Sequence, residues 1–319
     1  MQALNAGFRY LEQIGPAESG RAVLAHLATR YPLASEAQWR ERIASGQVLL
    51  GDRTAQGDEV LRPGQQLIWL RPPWAEPEVP LATAILHEDE ALLAVAKPSG
   101  LPTLPGGGEF LEHTLLALVR RRHAEASPMH RLGRGTSGIV LFAPTMSARK
   151  PLQAAFQGQP TRKIYRALCS GCVEEESFEI SAPIGQVPYG PLGLLHAAHP
   201  AGRPSLSRVQ VLERRDGATL LEVEILTGRP HQIRIHLAWA GHPLVGDPLY
   251  GPGGVPLPGT AALPGDPGYL LHAHRLELDH PRRGERVSLT CQPPPPLRLS
   301  GGGGNPHIHS TGQSPDTTG

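Results

Sequence analysis

Nine consecutive residues carry most of the reactive side chains that the sequence gathers in one place: His130, Arg131, Leu132, Gly133, Arg134, Gly135, Thr136, Ser137 and Gly138. Glycine at this density marks backbone in conformations other residues resist, or backbone brought against a ligand. The arginines add planar, anion-seeking charge. Gly133, Gly135 and Gly138 also fit the spacing G-x-G-x-x-G. A dinucleotide site, however, needs a strand before the glycines, a helix after them and an acidic residue about 20 positions on. Here a β-branched and aromatic run, residues 139–143, follows the glycines, and residues 139–172 contain no Asp or Glu. That order speaks against a nucleotide fold. A turn feeding a strand accounts for the glycines but leaves Arg131 and Arg134 without a purpose.

Four further segments bring charged or ring-bearing residues into close register. They are Lys97-Pro98-Ser99-Gly100-Leu101-Pro102, Arg162-Lys163-Ile164-Tyr165-Arg166-Ala167, the run from Thr227 through Gly228-Arg229-Pro230-His231-Gln232-Ile233-Arg234 to Ala238, and Gly241-His242-Pro243 with Gly246-Asp247-Pro248-Leu249-Tyr250-Gly251. Together with His130-Arg131-Leu132 and Thr136-Ser137-Gly138, these motifs resemble the RluA-type pseudouridine synthases, in that family's order and across residues 81–298. The block at 227–251 is the most specific part of the match.

The resemblance implies an α+β chain with the pseudouridine synthase fold: a mixed, largely antiparallel central sheet, flanking helices and a central cleft. It also implies a reaction that needs no cofactor and no metal. Such enzymes break the glycosidic bond of a uridine in RNA, turn the base over and rejoin it to ribose through a ring carbon. The uridine must leave its stack, at a cost of about a few kcal/mol. By the match, Arg131 fills the vacated space, Tyr165 stacks on the base and handles its ring proton, and Arg234 is the buried arginine that orients a carboxylate. Lys97, His130, Arg134, Thr136 and Arg229 are the expected RNA contacts; phosphate contacts at a cleft rim fix position without reading sequence.

The carboxylate is where this sequence departs. The family motif places an aspartate directly after Arg-Leu, and here Gly133 stands there. Three readings stay open. Another acid enters the cleft, with Glu109, Glu112 and Asp247 available; or an RNA cleft survives without the reaction; or the chemistry dispenses with a carboxylate at this place. Glu112 also reads as a helix N-terminal charge ahead of Thr114, and Asp247 as part of a turn. A buried Arg234 left unpaired would cost on the order of several kcal/mol. The joint presence of Arg131, Tyr165 and Arg234 therefore favours an active synthase with a relocated acid. His231, His236 and His242 read as structural or phosphate-adjacent, not as metal ligands.

The elements that hold these residues follow from apolar spacing and punctuation. Residues 20–27 and 35–44 read as helices, the second with Ser35 as N-cap. Strand-and-turn patterns at 45–52 and 59–70 complete a module that resembles an αL (S4-like) RNA-binding module over residues 1–70. Residues 1–80 hold 8 Lys and Arg against 9 Asp and Glu, so this copy is not basic. Residues 71–80 are a proline-rich linker. Residues 85–90 and 92–96 suggest a hairpin, 114–123 and 234–240 helices, and 163–167, 209–213, 220–226 and 275–278 strands, which build the 81–298 domain. The segment 299–319 reads as a disordered tail, its His307 and His309 notwithstanding.

Composition closes off other classes. The net charge is +1, so no global field advertises a polyanion, although residues 81–298 hold 22 basic against 19 acidic residues with Arg120-Arg121-Arg122 as the densest cluster. Three cysteines make neither a disulfide framework nor an all-Cys zinc site. No apolar run approaches the ~20 residues of a membrane span. The expectation is a cytoplasmic, monomeric enzyme with no obligatory protein partner, acting on tRNA or rRNA.

Overall fold

The computed structural model describes residues 3–31, 34–106, 108–158 and 161–300. Contacts divide the chain into two units, residues 1–81 with 101–126, and residues 82–100 with 127–319. Residues 101–126 thus group with the N-terminal module, although they lie within the 81–298 span expected for the second domain.

The first unit contains strand β1 (Phe8–Gln13), helices α1 (Val23–Arg30) and α2 (Glu36–Ala44), strands β2 (Val48–Leu50), β3 (Arg53–Thr54) and β4 (Gln66–Arg71), and helix α3 (Leu115–Arg120). The sheet order is β1-β4-β2-β3, antiparallel throughout. Helix α2 starts where its sequence says it should. The Ser35 hydroxyl accepts from the Gln38 amide while the Gln38 side chain accepts from the Ser35 amide, a reciprocal capping box. Trp39 and Ile43, four apart on one face, are then buried with Ile14, Val23, Leu27, Val48 and Leu61. The proline-rich stretch is more than a spacer. Glu76 is buried, and its carboxylate accepts from the Asn5 side chain and from the backbone amides of Leu111, Glu112 and His113.

The second unit is built on one sheet. Its strands are β5 (Ala84–Glu88), β6 (Leu93–Lys97), β7 (Ser127–Pro128), β8 (Ser137–Ala143), β9 (Arg162–Ser170), β10 (Ser177–Ile180), β13 (Ser207–Arg215), β14 (Ala218–Ile225), β17 (Leu271–Asp279) and β18 (Arg286–Thr290). Two hairpins lie outside it, β11 (Ile184–Tyr189) with β12 (Gly193–Ala198) and β15 (Tyr250–Gly251) with β16 (Val255–Pro256). The main order is β10-β13-β14-β9-β17-β8-β6-β5, with β18 on β17 and β7 on β8. Helix α4 (Met146–Gln157) buries Ala148, Leu152 and Phe156, a stripe at four-residue spacing. Helix α5 (Gln232–Trp239) is buried along almost its whole length.

The sheet is mixed and largely antiparallel, as the resemblance implies. Its parallel seam joins β8 to β17, with Ser137 opposite His272 and Gly138 opposite Ala273. Gly138 makes that seam possible. Its φ is +111°, and a Cβ there would stand 2.2 Å from the Ala273 carbonyl oxygen. Every residue of β8 is buried, which accounts for the unbroken apolar run after Gly138. At the other end of the chain Ser300 is held by Glu213, its amide 2.8 Å from Oε2. Residues 301–319, including His307 and His309, lie outside the described residues.

Candidate active site

The turn that precedes α5 is locked by Gln232. Its side-chain carbonyl accepts from the Thr227 hydroxyl and the Arg229 amide, and its amide nitrogen donates to the Leu206 carbonyl and the Ser207 hydroxyl. His231 caps the helix with φ +54°, the left-handed conformation otherwise confined to glycine among the described residues. The Tyr250 hydroxyl donates to the His196 carbonyl at 2.7 Å, so the 2.7 Å contact from His231 Nδ1 requires that nitrogen to be the donor. Burial, together with the nearby Arg234 charge, pushes the His231 pKa down to about 3 and keeps the ring neutral.

This start aims Arg234 inward. Its Nε and Nη2 donate to Asp247 Oδ2 and Oδ1, both at 2.7 Å, and Nη1 donates to the Pro264 carbonyl at 2.9 Å. The side chains of Arg234 and Asp247 are 2% and 1% exposed, so the pair sits out of water. The guanidinium lies 4.1 Å from the Tyr269 ring centre and 5.0 Å from that of Tyr250. Burial disfavours the charge, and the hydrogen bonds to Asp247 outweigh it, holding the Arg234 pKa above the ordinary arginine value. Asp247 Oδ1 also accepts the amides of Leu249 and Tyr250.

The acid that meets Arg234 is therefore Asp247, but as a counterion. Its oxygens accept from the guanidinium and from two backbone amides, which ties this expected substitute acid to Arg234 and to the turn. Glu112 belongs to the first unit, where its carboxylate accepts the Ala6 amide at 2.9 Å. It does not cap α3; the Thr114 hydroxyl does, accepting from the Ala117 amide.

Gly133 itself is exposed, and the two hydroxyls after it reach the start of β17 and the loop just before it. Thr136 Oγ1 lies 3.1 Å from the Tyr269 hydroxyl, and Ser137 Oγ lies 2.8 Å from His272 Nδ1. Thr136, expected as an RNA contact, is 4% exposed, with its hydroxyl turned to that of Tyr269. Two further expected RNA contacts turn inward as well. Lys97 is 2% exposed, with Nζ donating to the carbonyls of Pro98 and Arg134, and burial pushes its pKa down to about 7. His130 Nε2 accepts the Leu141 amide at 3.1 Å while its ring stacks on Phe156; burial, with Lys163 nearby, lowers its pKa to about 3. These polar groups hold backbone because each is buried beside strand ends whose carbonyls and amides need partners.

Arg134 is partly committed. Its Nε donates to the Gly265 carbonyl at 2.9 Å, and Nη2 stands 3.5 Å from Asp266. Arg229 donates to the Pro204 carbonyl. Arg131 points outward and is exposed, close enough to add its charge to the field on His231. Tyr165, on β9 opposite Ala273, packs against the cluster that contains Ile233, Tyr269 and Leu271. Burial raises its pKa to about 12, so it stands protonated at neutral pH. Arg234 lies against the Tyr269 ring, and Tyr165 packs on the cluster that contains that ring. Sequence reasoning overlooked Tyr269 and Gln232; Tyr269 sits at a loop-to-strand junction with no motif signal of its own.

Among the described residues, no group of three or more His, Cys, Asp or Glu is arranged to hold a metal ion, and no helix is long and apolar enough to cross a membrane.

Comparison with known proteins bears on this geometry. A family profile described as RNA pseudouridylate synthase matches residues 91–239. An uncharacterized RNA pseudouridine synthase of Synechocystis is 45% identical over 277 residues, covering 86% of this chain and 95% of the relative. The chain belongs to the RNA pseudouridine synthase family. A further relative, ribosomal large subunit pseudouridine synthase D of Neisseria meningitidis, is 33% identical over 286 residues, covering 86% of this chain and 75% of that one. Among solved structures, human RNA pseudouridylate synthase domain containing 1 superposes with a TM-score of 0.55 at 25% identity, covering 70% of this chain and 89% of its own. The pseudouridine synthase fold is thereby established for the sheet domain, and uridine isomerisation in RNA is the reaction of the family to which the chain belongs.

Proposed function

We propose that this pseudouridine synthase is catalytically competent as it stands, acting on a uridine of ribosomal or transfer RNA in the cytoplasm as a monomer. The observation that carries this reading is the buried Arg234–Asp247 pair against the Tyr269 ring, with Tyr165 packed on the cluster that holds that ring. A charged pair removed from water has a high desolvation cost, and here it is aimed beneath an open glycine turn.

In this reading Arg131 enters the stack as the uridine leaves it. Tyr165 receives the everted base on its ring face. Held protonated by burial, it serves as a stacking surface and hydrogen-bond donor, not as the resting base for the ring proton. Arg234 keeps the floor of the site positively charged, and Arg229 and Arg134 contact phosphates. The N-terminal module docks RNA. Ribosomal RNA is favoured by the relative named for the large subunit; transfer RNA is the other target class.

The test is to incubate purified protein with RNA from a strain lacking the gene and to measure pseudouridine by nucleoside analysis, resolved between ribosomal and transfer fractions. New pseudouridine in one fraction supports the reading. RNA binding without product would establish a cleft that has lost its reaction.

A further inference from the structure

Gly133 is not a glycine for the sake of its backbone. Its φ lies outside the left-handed region that L side chains avoid. What the position lacks is room, because an ideal Cβ there would stand 2.7 Å from the Tyr269 hydroxyl and 3.6 Å from Thr136 Oγ1. Two residues on, a Cβ at Gly135 would stand 2.9 Å from Cε1 and Cζ of the same ring. Both glycines are therefore the mould of one phenol. Tyr269 is 3% exposed, yet the residue that roofs its hydroxyl is exposed and has no side chain.

We infer that the Tyr269 hydroxyl is a catalytic group of the isomerisation, standing where a side chain of residue 133 would begin. Resting on the synthase reading above, this assignment supplies a proton-transferring oxygen to a site where Asp247 is held by Arg234 and by two backbone amides. Three features support it. The hydroxyl has a hydrogen-bonding partner in Thr136 that orients it. The guanidinium of Arg234 lies 4.1 Å from the ring centre and holds the ring in place. The residue facing the oxygen, Gly133, is exposed and carries no side chain to screen it from a ribose.

The proton account closes without any added reagent. As C1′–N1 breaks, its electron pair leaves with N1, which takes the phenol proton. After the base turns, the C5=C6 pair forms C1′–C5. The C5–H pair then restores the ring double bond, and the C5 proton returns to the Tyr269 oxygen. N1 has gained a hydrogen, C5 has lost one, and the phenol ends as it began.

Three variants test the assignment, with thermal stability and RNA affinity measured beside turnover on a defined RNA transcript. Y269F removes only the oxygen; kcat should fall by about 100-fold or more, within the usual range for a lost acid–base group, while KM and RNA affinity stay within about threefold. G133D should lose activity because its Cβ and the hydroxyl compete for one place. G133D/Y269F, which offers a carboxylate into the space the oxygen vacated, should regain at least about tenfold over Y269F, a non-additivity that a purely structural tyrosine would not produce. Y269F with kcat unchanged would overturn the assignment, and so would a double variant no better than Y269F. A wild-type protein that makes no pseudouridine would defeat the synthase reading itself and this role with it, whereas an active wild type with an active Y269F defeats the role alone.

Discussion

Arg234 and Asp247 meet fork to fork, Nε on Oδ2 and Nη2 on Oδ1 at 2.7 Å each, with both side chains closed off from solvent. Geometry of this kind is worth most where water is excluded, and its loss is felt on both partners. Asp247→Ala would leave the guanidinium buried without its counterion and two backbone amides without their acceptor. We expect a loss of about 3–5 kcal/mol in urea unfolding. A loss below about 1 kcal/mol would show that the pair is dispensable to the fold.

Arg131 makes the opposite case, being exposed at the lip of the site. Arg131→Ala should leave the unfolding midpoint unchanged and lower kcat/KM by about 10–100-fold, the equivalent of the few kcal/mol that unstacking a base demands. Steady-state kinetics on a structured transcript checks this, and an unaffected kcat/KM would remove Arg131 from the mechanism.

Acid should unfold this protein early. Burial pushes His236 and His272 down to about 4, and both rings are engaged with serines and carbonyls. In the unfolded chain these rings titrate near 6.5. Below that pH the unfolded chain binds more protons, so stability falls as pH drops from about 6.5 towards 4. At pH 5 each ring should cost about 2 kcal/mol relative to neutrality. Denaturant midpoints at pH 7 and pH 5 measure the loss directly, and a flat profile between them would contradict the neutral assignment.

Lys97 gives a trend in the alkaline range. Its pKa, pushed down to about 7 by burial, lies below the ~10.4 of an unfolded lysine. Between those values the unfolded chain holds a proton that the native chain lacks, so this residue's contribution to stability grows as pH rises through that window. Lys97→Met, similar in length, should remove the trend. The difference in melting temperature between wild type and variant, followed from pH 7 to 10, should shift in favour of wild type as pH rises.

The parts of the fold visible in the sequence are those where a local rule and tertiary packing agree. Ser35 and Thr114 announce their helices because a hydroxyl at an N-cap satisfies amides within three residues. The run after Gly138 reads as a buried strand and is one. Helix α4 is masked by Pro151 in its interior, and β1 by the exposure of Phe8 and Leu11 on an edge strand. Motif matching names candidate residues but not the direction of their side chains. Lys97, His130 and Thr136 carry the right chemistry for RNA, yet Lys97 and His130 turn to the backbone and Thr136 to the Tyr269 hydroxyl, and sequence does not encode burial one residue at a time. Tyr269 was hidden for a related reason, since its meaning lies in its distance to Gly133, far away along the chain.

The parallel seam between β8 and β17 has a consequence for how such a site diversifies. Two strands that run the same way enter from the same edge, so the turn leading to Ser137 and the turn leading to Leu271 must arrive side by side whatever residues they contain. Location is thus inherited from strand direction, while the reactive group is delivered by either turn. An enzyme lineage on this scaffold is free to hand the chemistry from one turn to the other without moving the pocket.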